Sequence, residues 1–398
     1  MNTILGSRKD HYLIGLSIFL MMVALIIGMV GCGYNPPPSQ HLEIQTWYDL
    51  DAVRDNLRGN YILMNDLDST TPGYDELAGP TANGGNGWKP IGWGGWVSTW
   101  FGVKAAGEVF KGSFDGQGYE IRDPHINGGG QVGLFGFVAG GAIIKNIALI
   151  NATVTEGEAA GGLVGLNQDT VRCFDVAPVG GVGGLVGYNG GTVSNCHAMG
   201  NITGDLDIGG LVGCNEGTVS NCYAAGSVTG NFAVGGLVGT NWGTVSNSYS
   251  SGNIAGNRCV GGLVGVNGPE KSVSNSYSTG NVTGNSSVGG LVGFNGIDGS
   301  VTRSYSTGSV TGDEVVGGLV GYGEGEGNVS NSFWDIETSG QSNSAAGTGK
   351  TTAQMKNIAT FSGAGWNIIA VANSSTRDPA YIWNIVNGVT YPFLSWQP

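Results

Sequence analysis

The sequence predicts an all-β parallel β-helix with about 26 residues and three short strands per coil, closed by helix-containing caps at both ends. A repeated phrase and the absence of a helical pattern support this prediction. A fixed period in this size range is typical of a solenoid, in which each repeat buries its apolar face only against its neighbours. The phrase Gly-Gly-Leu-Val-Gly occurs seven times, starting at Gly161, Gly183, Gly209, Gly235, Gly261, Gly289 and Gly317.

Within one period the sequence has three short apolar runs separated by Gly and Asn, and no 3.6-residue pattern. Runs of this kind bounded by turn residues predict strands. The chain has 76 glycines in 398 residues, but they are phased with Val, Ile and Leu, which indicates corner positions rather than a flexible linker. The net charge of −13 argues against a nucleic-acid partner, because a phosphate backbone requires a stripe of Lys and Arg.

Residues 1–31 are predicted to be a signal peptide, since Arg8 and Lys9 precede an apolar run. Met29-Val30-Gly31-Cys32 resembles the lipobox of bacterial lipoproteins, with Met29 where Leu is usual. The resemblance implies a lipid anchor on Cys32, followed by a Pro-rich tether over residues 32–41. The alternative is an uncleaved signal anchor, because the apolar run is just long enough to span a bilayer. Both predict a membrane-anchored protein at the cell surface or outside the cell.

Residues 42–125 are predicted to form an N-terminal cap and the first coils. A short helix with Thr46 as its N-cap would cover the open end of the solenoid through one apolar face, made of Trp47, Leu50, Val53 and Leu57. A Gly-rich loop follows, with three aromatic residues that are candidate sugar-stacking positions: Trp93, Trp96 and Trp100. The alternative is that these tryptophans seal the cap against water.

Like residues of the repeats at 126–334 form columns, because stacked coils place equivalent positions next to one another. Valines are expected inside, and a corner column of Asn195, Asn221, Asn247, Asn275 and Asn331 is expected to form an amide ladder. Whether the Leu or the Val of each repeated phrase faces the core stays open. A column of tyrosines is a candidate ligand-contact surface: Tyr223, Tyr249, Tyr277 and Tyr305.

Cys196 and Cys222 occupy the same repeat position, one coil apart. The expected coil spacing of about 4.8 Å lies within the Cα separation of a disulfide. A disulfide is therefore possible in an exported protein. The alternative is a pair of buried thiols, because Ser occupies this column in the later repeats.

Gly-Gly-Leu-Val-Gly-x-Asn followed by Val-Ser-Asn-Ser-Tyr resembles the GLUG repeat, found in bacterial surface adhesins and in the non-catalytic part of IgA-specific metallo-endopeptidases. The resemblance covers roughly residues 133–334 and implies a surface protein. Proteolytic members of the family need His-Glu-x-x-His for zinc. No two histidines of this chain are four residues apart, so the sequence excludes such a protease and predicts neither a metal nor a cofactor: His11, His41, His125 and His197.

Carbohydrate cleavage needs two carboxylates at one site. Acidic residues at and before positions 115–123 are candidates for it, with the alternative that they serve turns. These residues are Asp66, Asp68, Asp115, Glu120 and Asp123, with Arg122 and Lys111 as charge partners. Residues 335–398 are predicted to be a C-terminal cap with a short helix and a hairpin around Asn387-Gly388.

These observations together predict a non-catalytic adhesion or binding module for an extracellular glycan or protein. Two alternatives stay open at this point. One is a polysaccharide lyase or hydrolase that uses the acids near residues 115–123, and the other is a structural spacer.

Overall fold

The computed structural model describes residues 41–99, 102–128, 130–155, 159–168, 170–172, 175–179, 183–324 and 328–397. The predicted signal peptide, Cys32, Cys173 and Trp100 lie outside these residues. Residues Leu42–Pro398 form one compact unit. Its architecture is a parallel β-solenoid, which confirms the predicted fold class.

Five parallel sheets run along the solenoid, and each regular coil contributes one strand to each of them. Sheet 1 contains Leu42–Ile44, Asn60–Leu63, Ser113–Asp115, Ile143–Lys145, Thr170–Arg172, Thr192–Ser194, Thr218–Ser220, Thr244–Ser246, Ser272–Ser274, Ser300–Thr302 and Val329–Ser330. Sheet 2 contains Glu120–Arg122, His125–Asn127, Ala148–Thr155, Asp175–Val179, His197–Ala198, Tyr223–Ala224, Tyr249–Ser250, Tyr277–Ser278, Tyr305–Ser306, Phe333–Asp335 and Thr348–Lys350. Sheet 3 contains Phe135–Val138, Val164–Asn167, Val186–Asn189, Val212–Asn215, Val238–Asn241, Val264–Asn267, Val292–Asn295 and Val320–Gly323.

The other two sheets have five strands each and belong to the regular coils. Sheet 4 contains Ile202–Thr203, Val228–Thr229, Ile254–Ala255, Val282–Thr283 and Val310–Thr311. Sheet 5 contains Leu206–Gly209, Phe232–Gly235, Arg258–Gly261, Ser286–Gly289 and Glu314–Gly317. Before these coils, Gln131–Val132 pairs with Ala159–Ala160.

The regular coils therefore have five short strands, and the predicted count of three is wrong. The run from Gly243 to Gly252 is split into two strands, because Asn247 between them adopts a left-handed conformation with φ of 48°. A further strand, such as Arg258–Gly261, leads into the repeated phrase in each of the five regular coils and ends at its first glycine. The register follows the sequence period, with Val219 opposite Val245 after 26 residues and Val245 opposite Val273 after 28.

Two hydrophobic cores run along the coils. The main core contains five valines of sheet 1, from Val193 to Val301, together with both the Leu and the Val of every repeated phrase, which answers the question left open by the sequence. Leu237 and Val238, for example, are both fully buried. The second core is smaller and contains residues of sheets 4 and 5: Ile202, Ile208, Val228, Val234, Ile254, Val260, Val282, Val288 and Val310.

The glycines of the repeated phrase are required where backbones approach each other closely. A Cβ added to Gly235 would lie 1.9 Å from the carbonyl oxygen of Val238. A Cβ added to Gly239 would lie 2.4 Å from the carbonyl carbon of Asp207 in sheet 5. Distances this short are impossible for a side chain, so only glycine lets a strand of sheet 3 lie against a strand of sheet 5.

An amide ladder exists, but in a different column from the predicted one. Six of the eight sheet-3 strands end in a buried Asn, and these side chains bond to one another from coil to coil at 2.7–2.8 Å. The predicted column, such as Asn195 and Asn221, instead has φ of 54° and 53°, respectively, and turns a corner of the coil, a conformation that Asn tolerates. The ladder consists of Asn167, Asn189, Asn215, Asn241, Asn267 and Asn295.

The N-terminal cap begins with helix α1, Trp47–Asp51, which continues as a 3-10 helix, Ala52–Asn56. Thr46 caps α1 through a capping box with Asp49, as the sequence predicts for the N-cap. The apolar side chains of this segment pack into the main core beside the first coils. Two further short helices follow, α2 at Tyr74–Leu77 and α3 at Ala82–Gly85.

The segment predicted to be a Gly-rich loop is an antiparallel pair of strands, Trp93–Thr99 and Gly102–Glu108. The loop prediction is wrong because the glycines lie within paired strands and do not interrupt them.

The C-terminal segment packs against the outer face of sheet 2. It contains helices α4 at Ile336–Ser339, α5 at Thr352–Met355 and α6 at Ile358–Ser362. A small sheet follows, formed by Ile368–Ala370, Trp383–Ile385 and Phe393–Leu394. Its last two strands are antiparallel, as predicted, but Trp383 pairs with Leu394, so their connection is longer than a two-residue turn. The Asn387 carboxamide in that connection accepts a hydrogen bond from the backbone of Ile358 at 2.9 Å.

Within the described residues, no helix combines the length and apolar character needed to cross a membrane.

Candidate functional site

The tyrosine column forms, but most of it is not a ligand surface. The rings stack face to face from Tyr223 to Tyr305 with centroids 4.9–5.0 Å apart. Tyr277 is 5% exposed and Tyr305 is 1% exposed, because the C-terminal segment covers them. The ligand-contact prediction is therefore wrong for these two residues. A tertiary contact with a segment far along the chain buries them.

The other end of the column remains partly accessible. Tyr223 and Tyr249 are half-buried and lie 6.5 and 5.9 Å from the ring of Trp396. His197 stacks on Tyr223 with centroids 4.6 Å apart. The column is thus mainly the platform on which the C-terminal segment is held, with Trp396 donating a hydrogen bond from Nε1 to the Asn247 carbonyl at 3.0 Å.

Cys196 and Cys222 are neighbouring buried residues, and no disulfide joins them in the structure. The Cys196 thiol donates to the Ser194 carbonyl at 3.2 Å, and the Cys222 thiol donates to the Ser220 carbonyl at 3.1 Å. Burial, then the hydrogen bond and charge interaction with Cys196, raise the pKa of Cys222 well above its ordinary value. The structure therefore has the buried-thiol arrangement, and the disulfide stays a prediction for the exported protein.

We expect the reduced, folded protein to resist alkylation at these two positions. A raised pKa keeps the Cys222 thiol protonated at pH 8, and burial excludes the reagent. Iodoacetamide should label both cysteines in urea but neither in buffer, as measured by peptide mass spectrometry. Cys214, which is partly exposed, is the internal control. It should be labelled slowly in buffer, because burial and then the nearby charges of Asp207 and Glu216 raise its pKa to about 12. Rapid labelling of Cys222 in buffer would contradict the buried arrangement.

The acidic residues near positions 115–123 mostly serve local turns and pairs. Asp66 accepts a hydrogen bond from the backbone of Glu120 at 2.9 Å, and Glu120 forms an ion pair with Arg122. Asp68 accepts hydrogen bonds from Thr70, chiefly through the hydroxyl, and these lower the pKa of Asp68.

Asp115 is held by two hydrogen bonds and an ion pair with Lys145. Partial burial acts to raise the pKa of Asp115, but hydrogen bonds from Asn146 and Gln117 and the Lys145 ammonium lower it overall. A depression of about 500 Å³ beside Asp115 is lined by one carboxylate only, together with Gln117, Gly118 and Asn146. A lowered pKa suits an ionised turn residue and does not suit a general acid.

Of the three candidate tryptophans, the structure places only the side chain of Trp93, which is 66% exposed. Trp93 does not seal the cap. That role belongs to Trp88, which is 1% exposed and lies 5.6 Å from the ring of Trp47. Trp96 lies in the same strand as Trp93, and Trp100 lies outside the described residues.

A groove of about 560 Å³ lies along sheets 3 and 5 and was not predicted from the sequence. We call it the aromatic groove. Its residues come from five successive coils, which at about 4.8 Å per coil gives a length of about 19 Å. It is lined by Asp207, Phe232, Thr240, Trp242, Arg258, Cys259, Val266, Ser287, Phe294, Val315 and Tyr322.

Exposed aromatic side chains line the aromatic groove. Trp242 is 43% exposed, Tyr322 is 41% exposed and Phe232 is 37% exposed. Phe294 and Tyr322 stack with centroids 5.6 Å apart. A Cβ on Gly268, one coil after Trp242, would lie 2.4 Å from the indole Cε3, so this glycine makes room for the ring.

Polar groups are few in the aromatic groove. Asp207 accepts a hydrogen bond from the Thr240 hydroxyl. Arg258 is exposed, and it takes part in none of the three ion pairs formed by the described residues. The residues contributed by sheet 5 include Asp207, Cys259 and Val315, all left-handed with φ of 53–55°. This conformation is unusual for a β-branched residue such as Val315 and is a mark of strained, often functional, backbone.

The sequence contained one signal for this groove that the prediction did not use. The position between Gly and Asn in Gly-Gly-Leu-Val-Gly-x-Asn varies from repeat to repeat, although its neighbours repeat almost without change. The structure places four of these variable residues in the groove: Thr240, Val266, Phe294 and Tyr322. Among the described residues, no group of three or more His, Cys, Asp or Glu side chains is arranged to hold a metal ion.

The fold and the groove together define a repeat-built β-solenoid with an open aromatic groove along two of its sheets. Five consecutive segments match the family described as the GLUG motif: residues 179–203, 204–229, 230–255, 256–283 and 284–311. This part of the chain therefore carries GLUG repeats, in agreement with the resemblance found in the sequence.

The chain is 31% identical over 164 residues to halomucin from Haloquadratum walsbyi. The alignment covers 38% of this chain but only 2% of halomucin. The crystal structure of a candidate immunoglobulin A1 protease from Bacteroides ovatus is similar over 91% of this chain and 94% of that one. The TM-score is 0.45 at 18% identity, too low for this similarity to bear on fold or activity.

Proposed function

We propose that this protein is an exported surface module that binds an extracellular glycan or protein without cleaving it. The aromatic groove is the observation that carries the proposal. Ligand sites are typically concave and mainly apolar, with a few polar groups that fix orientation. The groove combines the exposed aromatic rings of Trp242 and Tyr322 with a few polar side chains, such as that of Arg258. The mechanism is retention of an extended ligand through several weak contacts on a rigid face.

The absence of paired carboxylates in the groove supports a non-catalytic role. Asp207 is the one carboxylate among the residues that line it. Glycosidic hydrolysis uses two carboxyl groups across the scissile bond. The alternative enzyme near residues 115–123 has less support, because the depression beside Asp115 also has a single carboxylate and its pKa is lowered.

The proposed location is the cell surface, with a lipid anchor on Cys32. Support comes from the charged and apolar segment before Cys32, from the lipobox-like residues, and from the match to GLUG repeats. The similarity to a segment of halomucin is consistent with an extracellular setting. An uncleaved signal anchor would give the same location.

The test is to express the full chain in a non-adherent bacterial host and to measure cell attachment to surfaces coated with polysaccharide or with protein. Cells that express the wild-type protein should attach, and cells that express the double variant Trp242→Ala with Tyr322→Ala should not. The control is Tyr48→Ala, which removes an exposed aromatic ring outside the groove and outside the predicted ligand-contact positions. Cys32→Ser should abolish labelling of the protein by palmitate, because it removes the thiol that would carry the lipid. Equal attachment of wild-type and empty host cells would contradict the binding function and would favour a spacer.

A further inference from the structure

We infer that the aromatic groove binds an uncharged, linear glycan that lies parallel to the solenoid axis, with about one sugar ring per coil. This inference rests on the proposed binding function and names its ligand class. It is carried by the spacing of the groove residues, by their chemistry and by the charge of the coils.

The spacing suits a chain of sugars. Equivalent side chains in neighbouring coils are separated by the coil rise, which the stacked tyrosines of the same coils record as 4.9–5.0 Å. This rise is comparable to the advance of one pyranose ring in an extended polysaccharide. Trp242, Phe294 and Tyr322 lie in three of the five coils of the groove, so successive rings of one chain would meet an aromatic surface repeatedly.

The side chains suit a sugar in particular. A pyranose ring has an apolar C–H face, which stacks on aromatic rings, and a rim of hydroxyl groups, which needs donors and acceptors. Trp242, Phe294 and Tyr322 provide the aromatic surfaces. Arg258 and Ser287, from the neighbouring coils of sheet 5, provide a guanidinium and a hydroxyl at the same groove.

The charge favours an uncharged chain over a polyanion. Over residues 183–324 the sequence has three Lys or Arg residues and eight Asp or Glu residues. The groove itself contains one charge of each sign, Asp207 and Arg258. An acidic polysaccharide would be repelled along the length of these coils, as would a nucleic acid.

The backbone favours a glycan over a peptide. Extended peptides commonly bind by adding a strand to a free sheet edge. Along the middle of the groove, the strands of sheets 3 and 5 are already paired with the coils on either side, as in Arg258 between Phe232 and Ser286. Free strand edges occur only at the ends of these sheets, at Leu206–Gly209, Glu314–Gly317 and Val320–Gly323 within the groove. A peptide lying along the groove would therefore find no main-chain partners over most of its length, and side chains must provide the contacts there.

The position of Trp242 is set by the neighbouring coil. Its indole occupies the space left by the missing side chain of Gly268. Gly268 has no left-handed backbone requirement, so Gly268→Ala changes mainly this contact. A methyl group there would displace the indole and should weaken binding even though Trp242 is retained.

The experiment is titration calorimetry and affinity electrophoresis of the full chain with two sets of soluble polysaccharides. The neutral set is hydroxyethyl cellulose, galactomannan and arabinoxylan, and the acidic set is polygalacturonate and alginate. We expect binding to at least one neutral polymer, weakened about tenfold by Trp242→Ala and by Phe294→Ala, which corresponds to about 1.4 kcal/mol. Gly268→Ala should also weaken it, and Tyr48→Ala, which removes an exposed aromatic ring outside every candidate ligand site, should not. Affinity for oligosaccharides of the bound polymer should rise with length and level off at about five sugars, one per coil.

Four other results would overturn the inference, and they differ in whether the proposed binding function survives. Binding of acidic polymers alone, lost in Trp242→Ala, would overturn the ligand class and retain the groove as a binding site. Neutral binding that is insensitive to the groove variants would overturn the site. No polysaccharide binding, with groove-dependent attachment of cells to protein-coated surfaces, would overturn the glycan and retain the binding function. No binding and no attachment would overturn both. Unchanged unfolding midpoints in urea establish that the variants are folded.

Discussion

Asn241→Asp is expected to lower the free energy of unfolding by about 3–5 kcal/mol, the usual cost of an uncompensated buried charge. The Asn241 side chain is not exposed, and it donates to Asn267 Oδ1 at 2.8 Å and to the Gly243 carbonyl at 3.3 Å. A carboxylate of the same shape cannot donate either bond, and its charge would face these acceptor oxygens. The measurement is the urea midpoint at pH 7 by circular dichroism.

The structure contains a matched control for this change. A second chain of side-chain bonds runs along the surface, in which Asn257 donates to Asn231 at 3.0 Å and accepts from Asn285 at 2.8 Å. All three residues are exposed. Asn257→Asp should therefore change stability by about 0.5 kcal/mol or less, because water replaces the lost bond. Similar losses of unfolding free energy in the two variants would show that burial does not determine how much the Asn241 ladder contributes to stability.

Trp383→Ala is expected to lower the free energy of unfolding by about 3–5 kcal/mol, because it removes a large buried side chain. The Trp383 ring is not exposed and lies 5.9 Å from Tyr305 and 4.8 Å from Trp366. Loss of the Trp383 ring should detach the C-terminal segment from sheet 2 and expose Tyr277 and Tyr305. Limited proteolysis should then cleave the C-terminal segment before the coils.

Two variants test the reason for that loss. Trp93→Ala removes an indole that is 66% exposed, so its effect should be within about 0.5 kcal/mol. Trp383→Phe should cost less than Trp383→Ala, because it keeps most of the packing. It also removes an Nε1–H that has no hydrogen-bond partner within the described residues. If the C-terminal segment of Trp383→Ala stayed protected from protease, Trp383 would not be the residue that holds this segment on sheet 2.

The sequence was sufficient for the architecture because the repeat is a local signal. Gly235 and its equivalents recur with a period that only stacked coils explain, and the buried valines follow from the same register. The strand count could not be predicted, since it depends on left-handed corners such as Asn247. Two asparagine columns had the same period, and only burial distinguishes the ladder of Asn241 from the corner of Asn247.

The candidate site was harder to predict because it depends on contacts distant in sequence. The tyrosine column is regular and aromatic, which favoured a ligand surface, but the C-terminal segment covers Tyr277 and Tyr305. Nothing in the local pattern around Tyr305 indicates that Pro392 will accept its hydroxyl hydrogen bond. The aromatic groove brings together Trp242 and Tyr322 from different coils, and this juxtaposition depends on the fold.

The contact between Trp396 and Asn247 has a mechanical consequence. These residues are 149 positions apart, and the last coils lie between them in the chain. A solenoid pulled at its last coil can unravel one coil at a time, since each coil is held only by its neighbour. Here, Trp396 and Gln397 bond directly to the coils of Asn247 and Tyr277, so tension on this segment loads those coils sideways through the stacked rings. The rod should therefore yield at this end in one large step, at a higher force than stepwise peeling would need.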